Sequence, residues 1–230
     1  MAARMNLSAG RWAPRSAQVL LGTAIVAASA PALARASLDF DSTFNAAGEP
    51  EHLHFRAGYL LNGAAHTVEA WRERDARLKR RTDDAIETFV FKEAAGPEWR
   101  MVVLDLKRRI RTDADRASLY RIGQFTDWFG LAHGLARPTA GYRLQATSAP
   151  VGRVDKPAAA CRWYRLTQSH NASHICWSRT LRLPMLITGG DGTVQWRITQ
   201  ADSKPADPAV FRVHDTGFVR NDAGADIKGD

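Results

Sequence analysis

Hydrophobic and polar positions alternate through most of this chain, and the alternation predicts strands. In "HLHFRAGYLLNG", Leu53, Phe55, Ala57, Tyr59 and Leu61 fall on one side, and His52, His54 and Arg56 on the other. That is a strand with one wet face. Asn62-Gly63 ends it with a hairpin signal. "HTVEAWRERDARLKRR" follows as a long twisting strand, or as two with a break near Asp75. Asp83-Asp84 turns the chain into "AIETFVFKE", and Gly96-Pro97 turns it again into "EWRMVVLDLKRRIRT", read as one strand. Strands joined by turn residues in this way form an antiparallel meander.

The period then changes. Leu119, Ile122, Phe125, Phe129 and Ala132 recur at three- and four-residue spacing, with Trp128 and Leu135 adjoining. This is an amphipathic helical stripe. Gly123, Gly130 and Gly134 argue for two short helices rather than one rod, and Pro138 ends them. "AGYRLQAT" resumes strand, and the link "APVGRVDKPAAA" leads to a hairpin, "CRWYRLTQSHNASHICWS". Its second strand is expected to run on through "RTLRLPMLI" with a bend at Pro184. "GGDG" turns the chain into "TVQWRITQAD", with Val194, Trp196 and Ile198 on one face, and "PADPAVFRV" is expected to close the sheet. The pattern as a whole predicts an α+β chain: a large antiparallel sheet with a midchain helical insertion.

The first residues change the picture by fixing a compartment. "MAARMNLSAGRWAPR" carries Arg4, Arg11 and Arg15 and no acid, and an alanine-rich apolar run then closes on Ala32-Leu33-Ala34. Residues 1–34 therefore read as a secretory signal peptide. Gly22 and Pro31 interrupt the run, which argues against a membrane-spanning anchor. With no cysteine at the cleavage region and no twin arginine, the expectation is general secretory export and a soluble periplasmic protein. Residues 35–219 form its single domain and residues 220–230 a flexible tail. The chain has 32 Lys and Arg against 24 Asp and Glu, and the first 34 residues hold three of the former and none of the latter, so the mature surplus is +5. The basic runs "LKRRTDD" and "LKRRIRTDADR" return to acid at once, as solvated faces do, and nucleic acid is not an expected partner. A peripheral encounter with anionic lipid headgroups, or with an acidic partner, stays open.

In an oxidising compartment the two cysteines, Cys161 and Cys176, are expected to form a disulfide. Placing them opposite each other in the hairpin puts Cys161, Trp163 and Arg165 on one face with His174 and Cys176. Tyr164, Leu166, Ile175 and Trp177 then form an apolar core face. A redox pair would want C-x-x-C spacing, and a zinc site would need ligands beyond His170 and His174. The "NAS" at Asn171 fits the glycosylation triplet, which also occurs by chance. His52, His54 and His66 read as an exposed polar face rather than metal ligands. Ser118, Ser173 and Ser178 sit in no nucleophile elbow, and Asp202 and Asp207 look like turn residues. No catalytic residue, metal or cofactor is expected.

The order of elements, with "CRWYRL…ICWSRTLRLPMLIT…DGTVQWRITQADSKPADPAVFRV" in the second half, resembles the periplasmic carriers of the outer-membrane lipoprotein carrier superfamily, the LolA-like and LppX-like half-barrels, over roughly residues 52–214. The resemblance implies a curved sheet forming an incomplete β-barrel, with the midchain helices covering its open side. It also implies an apolar cavity for acyl chains. Phe55, Tyr59, Phe89, Phe91, Tyr164, Trp177 and Trp196 from strands, and Phe125, Trp128 and Phe129 from helices, are the residues expected to line it. The chain departs from the carriers at its start: they open with a substantial amphipathic helix, whereas residues 37–49 offer a short stretch around Phe40 and Phe44. The resulting expectation is a non-enzymatic periplasmic protein that binds or carries a lipid or a lipidated protein. The alternative is an interaction or sensor module that docks an envelope protein partner.

Overall fold

The computed structural model describes residues 36–92, 99–115, 128–138, 141–150, 159–169 and 171–222, and a single twelve-stranded sheet organises these described residues. The first half contributes β1 (His52–Leu61), β2 (Ala64–Glu73), β3 (Arg77–Thr82), β4 (Ile86–Lys92), β5 (Trp99–Asp105) and β6 (Ile110–Asp115). The second half contributes β7 (Tyr142–Thr147), β8 (Arg162–Gln168), β9 (Asn171–Ser178), β10 (Leu183–Gly189), β11 (Val194–Asp202) and β12 (Val219–Asp222). Among the described residues two short helices, α1 (Phe40–Thr43) and α2 (Trp128–His133), pack on one face. The spatial order is β12-β6-β5-β4-β3-β2-β1-β11-β10-β9-β8-β7. The curved sheet is unclosed, with β12 and β7 as its edges: an open half-barrel.

Turn chemistry sets the meander. Asn62 (φ 52°) and Gly63 (φ 79°) both take left-handed conformations, as a two-residue hairpin of this hand requires. The break expected near Asp75 is real and separates β2 from β3, and Asp83 and Asp84, at φ 51° and 50°, make the next reversal. Residues 98–112, expected as one strand, contain a turn instead. The Asp105 carboxylate accepts hydrogen bonds from the backbone N–H groups of Lys107 (3.0 Å) and Arg108 (2.8 Å), and Arg109 sits at φ 56°. A short carboxylate competing for backbone donors favours a reversal over continued strand. The same correction applies after β9. The chain does not run on through Pro184 but turns at residues 179–182, with Ser178 Oγ accepting from Leu181 N (3.3 Å) and Arg182 at φ 52°. β10 then returns antiparallel to β9.

The C-terminal segment corrects the sequence reading twice. "PADPAVFRV" is not a closing strand: Asp207 caps a 3-10 turn, Pro208–Phe211, by accepting from Ala209 N at 2.8 Å. Proline at the first position favours such a start and cannot donate to a ladder. The strand that does extend the sheet is β12, parallel to β6, with Val219 N donating to Arg109 O (2.9 Å). The tail expected over residues 220–230 thus gives its first residues to a strand, and residues 223–230 lie outside the described residues. So do residues 1–34, Gly96-Pro97, Leu119, Ile122 and Gly123.

Register shows which side chains share a face. Phe55 pairs with Ala70, Ala70 with Arg80, and Arg80 with Thr88. Leu53, Phe55, Ala57, Val68, Ala70, Arg72, Leu78 and Val90 therefore lie on the face that carries the helices, here the inner face. All but Arg72 belong to one buried hydrophobic cluster with Met101, Ala114, Trp196 and Ile198. A second cluster holds Phe40, Phe44, Phe129, Leu144, Tyr164, Leu166, Ile175 and Trp177, where α1 and α2 meet β7 to β9. On the outer face Phe89, Val102 and Leu104 are buried beneath Val213 and Phe218 of the C-terminal segment. Burying each such large side chain stabilises the fold by roughly 1.5–3 kcal/mol.

The hairpin β8–β9 carries the disulfide between Cys161 and Cys176, with a Cα–Cα separation of 5.3 Å. The pairing is diagonal. Trp163, not Cys161, lies opposite Cys176, and Arg162 lies opposite Trp177. An offset of two residues keeps side chains on the same face, so Tyr164, Leu166, Ile175 and Trp177 still form the core side and the cystine lies on the outer one.

Candidate functional site

The expected cavity residues divide into groups. Phe55, Tyr59 and Trp196 meet on the inner face, with ring centroids 6.2 Å apart for Phe55–Trp196 and 6.1 Å for Tyr59–Trp196. Tyr164 and Trp177 join Phe129 of α2 through Phe44, whose ring stands edge-on to Tyr164 at 5.1 Å and to Trp177 at 5.2 Å. Trp128 is partly buried against the larger cluster. Phe89 and Phe91 do not join these residues. On β4 they alternate with Thr88 and Val90, so they face outward, where the C-terminal segment covers them. Both faces of β4 are apolar for that reason, and alternation alone does not reveal which one points in. Phe125 lies outside the described residues, as do Ser118 and His170.

A buried charged cluster fastens α2 to the sheet. Arg72 is 1% exposed, on an otherwise apolar row with Val68 and Ala70. Its Nη2 lies 3.1 Å from the Glu49 carboxylate, and its Nη1 donates to His133 Nε2 at 2.7 Å. His133, also 1% exposed, places Nδ1 3.0 Å from Phe129 O. Nε2 also lies 3.2 Å from Glu49 Oε2; the closer Arg72 donor at Nε2 and the Phe129 carbonyl at Nδ1 favour the tautomer with its proton on Nδ1. Burial pushes the His133 pKa below the ordinary imidazole value and Arg72 lowers it further, against the opposing pull of Glu49. The imidazole is therefore neutral at pH 7. Burial likewise lowers the Arg72 pKa, opposed by Glu49. Arg72 Nη1 and Arg80 Nη1 also approach Ala132 O and Leu131 O, each at 3.4 Å, where the last carbonyls of α2 have no helical partner. The helix ends at Gly134 (φ 68°), where an added Cβ would lie 2.6 Å from the Trp196 ring, so only glycine satisfies both demands there.

The sequence reading missed this cluster. Its one signal was Arg72 falling in phase with Val68 and Ala70, an arginine on an apolar face. Nothing in the sequence linked it to Glu49 or His133, which lie far apart along the chain.

Of the histidines expected on the wet face, His52 and His54 lie on the outer face, whereas His66, paired with Tyr59 and stacked on its ring at 5.3 Å, lies on the inner one; each stands beside an acid. His54 stacks on Trp71 (5.1 Å, 8°) with Nε2 2.8 Å from Glu69 and Nδ1 3.3 Å from Asp202. His66 lies 2.5 Å from Asp83, and His52 lies 3.9 Å from Glu73. Arg56 Nε donates to Glu69 at 2.8 Å, so that carboxylate is shared between two donors. Among the described residues no group of three His, Cys, Asp or Glu could hold a metal ion, and no helix is long and apolar enough to cross a membrane.

The sheet ends at β7, whose outer rim is partly occupied. Leu38 N donates to Leu144 O at 2.8 Å, and Leu144 N donates to Ser37 Oγ at 3.0 Å. The segment before α1 thus lies along this edge as an incomplete strand. Main-chain groups two residues apart point the same way, so the exposed Ala146 presents its N–H and C=O outward in line with those of Leu144. Ala36, Leu38, Gln145 and Ala146 line a recess of about 330 Å³ there.

No protein-family model and no curated protein matches the chain. Among solved structures it is similar to the crystal structure of MucB, at 14% identity and a TM-score of 0.39, over 75% of this chain and 61% of that one. It is also similar to the crystal structure of MucB in complex with MucA(peri), at 17% identity and a TM-score of 0.36, over 71% of this chain and 54% of that one. The chain thus spans between about half and three fifths of the length of these structures.

Proposed function

We propose that this chain is an exported, non-catalytic protein of the periplasm that docks an envelope protein partner by strand addition at β7. The observation that carries this reading is the seat already formed on that edge, where Leu144 exchanges hydrogen bonds with Leu38 and Ser37. A partner strand would continue the same ladder past Ala146, gaining main-chain hydrogen bonds and a recess for one side chain. Ala146→Pro tests it, because the outward N–H is lost while the pairing of β7 with β8 is kept. Photo-cross-linking from position 147 in intact cells should give one dominant protein adduct, and the proline should remove it without changing the melting temperature. An adduct that persists in the proline variant overturns the reading, as does the absence of any.

A second reading is favoured by the inner-face aromatics: an acyl chain held between α2 and the sheet. Each buried methylene would contribute about 0.8 kcal/mol. Against it, Phe55, Trp177, Phe129 and Trp196 are packed against protein at 1%, 0%, 6% and 6% exposure. An acyl chain would have to lift α2 and uncover Arg72. Native mass spectrometry of the purified protein separates the two readings: co-purifying acyl species decide for the lipid.

A further inference from the structure

The stapled hairpin is bordered by arginines. Arg162 opens β8 directly after Cys161, Arg179 follows β9, and Arg182 ends the turn into β10 at φ 52°. All three line one recess of about 600 Å³, whose opposite wall is α1 and the residues after it, including Ser42, Thr43 and Asn45. No carboxylate lines it, and among the described residues none of the three arginines has an ion-pair partner. Other arginines are matched, Arg56 with Glu69, Arg77 with Glu73, Arg111 with Asp113 and Asp215; Arg143, Arg165 and Arg212 also lack an ion pair among the described residues, but none of them lines this recess. Arg182 Nε, moreover, is sealed from solvent with no hydrogen-bond partner, a donor without an acceptor.

The neutral donors of the opposite wall are already used. Ser42 Oγ donates to Asp39 Oδ1 (2.6 Å), Thr43 Oγ1 to Asp39 O (2.6 Å) and Asn45 Nδ2 to Ser42 O (2.6 Å). What the recess offers a visitor is therefore guanidinium. Three such cations repel one another, and their planar forks match oxyanions bidentately. A single carboxylate would balance one of them. A phosphate monoester carries about −1.5 to −2 near neutral pH and three terminal oxygens, which suits the set better.

We propose that Arg162, Arg179 and Arg182 form an oxyanion site that binds a phosphate monoester group, a function distinct from strand addition at β7 although Leu38 and Ala146 of that edge line this recess as well. The group can come from a soluble phosphate or from the headgroup of a phosphatidic-acid-type lipid, and the test has an arm for each. Isothermal titration of the mature, oxidised protein with inorganic phosphate at constant ionic strength should show saturable binding. Arg162→Ala and Arg179→Ala, both exposed positions, should each weaken it by about tenfold or more, the loss of one charge-assisted contact. Arg182→Lys keeps the charge but loses Nε and should weaken it too; circular dichroism checks each variant's fold. Absence of binding, or equal affinity in all three folded variants, overturns the site. Co-sedimentation with phosphatidylcholine vesicles containing phosphatidic acid then identifies the source. Arginine-dependent binding assigns a lipid headgroup, whereas phosphate binding without vesicle binding assigns a soluble ligand.

Discussion

Arg72 and Arg179 belong to the same molecule and solve opposite problems. Arg72 is 1% exposed, so its charge is tolerable only because Glu49 and His133 surround it. Arg179 is exposed and, with Arg162 and Arg182, faces a recess that holds no acid. The first arginine is a fastening inside the fold: it ties the segment before β1, the strand β2 and the helix α2 to one point. The other three are not needed to hold the chain together, since no element of the described structure is ion-paired through them. The difference teaches where to look for function. A buried charge held beside Glu49 and His133, even with its Nε left without a hydrogen-bond partner, is spent on structure, while unmatched charges grouped beside a recess are available to something else.

The contrast breaks most visibly at Arg72. Arg72→Ala leaves the Glu49 carboxylate and the Ala132 carbonyl without the Arg72 donor, and should cost about 3–5 kcal/mol in urea unfolding, the range for breaking a buried pair. A loss below 1 kcal/mol would mean that water replaces the guanidinium and that the cluster is not a fastening. Next in size is the disulfide. With its cysteines 15 positions apart, reduction should lower stability by about 3 kcal/mol on the chain-entropy estimate. Because Arg162 and Arg179 flank the bridged strands, it should also weaken phosphate binding. Equal unfolding midpoints in oxidised and reduced protein would contradict the first expectation, and equal phosphate affinity the second.

A smaller effect follows from His133. Its pKa in the folded protein is depressed, first by burial and then by Arg72, so the unfolded chain takes up the proton at higher pH. Between the ordinary imidazole value near 6.5 and the lower folded value, the unfolded state binds more protons. Stability is therefore fully present above about pH 6.5 and is lost as pH falls toward the folded pKa. Protonation would also set a second cation against Arg72, with Glu49 the acid facing both. Urea midpoints from pH 7.5 to pH 5 should decline in the wild type and decline less in a folded His133→Gln variant. Equal slopes would assign the acid sensitivity to other groups.

How much of this could be read from the sequence follows from the range of the interactions. Alternation and turn residues act locally, so β1, β2, β7 and β11 are legible, as are the reversals at Asn62-Gly63 and Asp83-Asp84. The disulfide is legible because the expected compartment and a count of two cysteines both point to it; its diagonal register is not, because the turn at Ser169 fixes the offset. The turns at Asp105 and Ser178 escape because a single side chain capping its own backbone interrupts runs that still look strand-like. Phe89 and Phe91 show the harder limit. Which face of a strand is covered depends on a C-terminal segment more than 100 residues away, and no local period encodes that. The same holds for Glu49, Arg72 and His133, whose types are ordinary and whose meeting is tertiary. The recess arginines escape for the opposite reason: as a scatter of basic residues they look like any solvated face until the missing acids can be seen.

The smallest expected effect is the one that decides whether the comparison holds. Arg179→Ala removes an exposed side chain with no ion-pair partner among the described residues, so unfolding free energy should stay within about 0.5 kcal/mol of the wild type. Relief of repulsion from Arg162 and Arg182 could make it slightly positive. Salt separates the two contributions. Raising sodium chloride from low to moderate concentration screens like charges at a surface recess, so the wild type should gain more stability from salt than the variant does. In the Arg72→Ala background the same Arg179 change should add without coupling, because the two sites share no partner. A destabilisation well above 1 kcal/mol on removing Arg179 would mean that this arginine, too, is spent on the fold. The recess would then be ordinary surface, and the unmatched charges would lose their claim to a ligand.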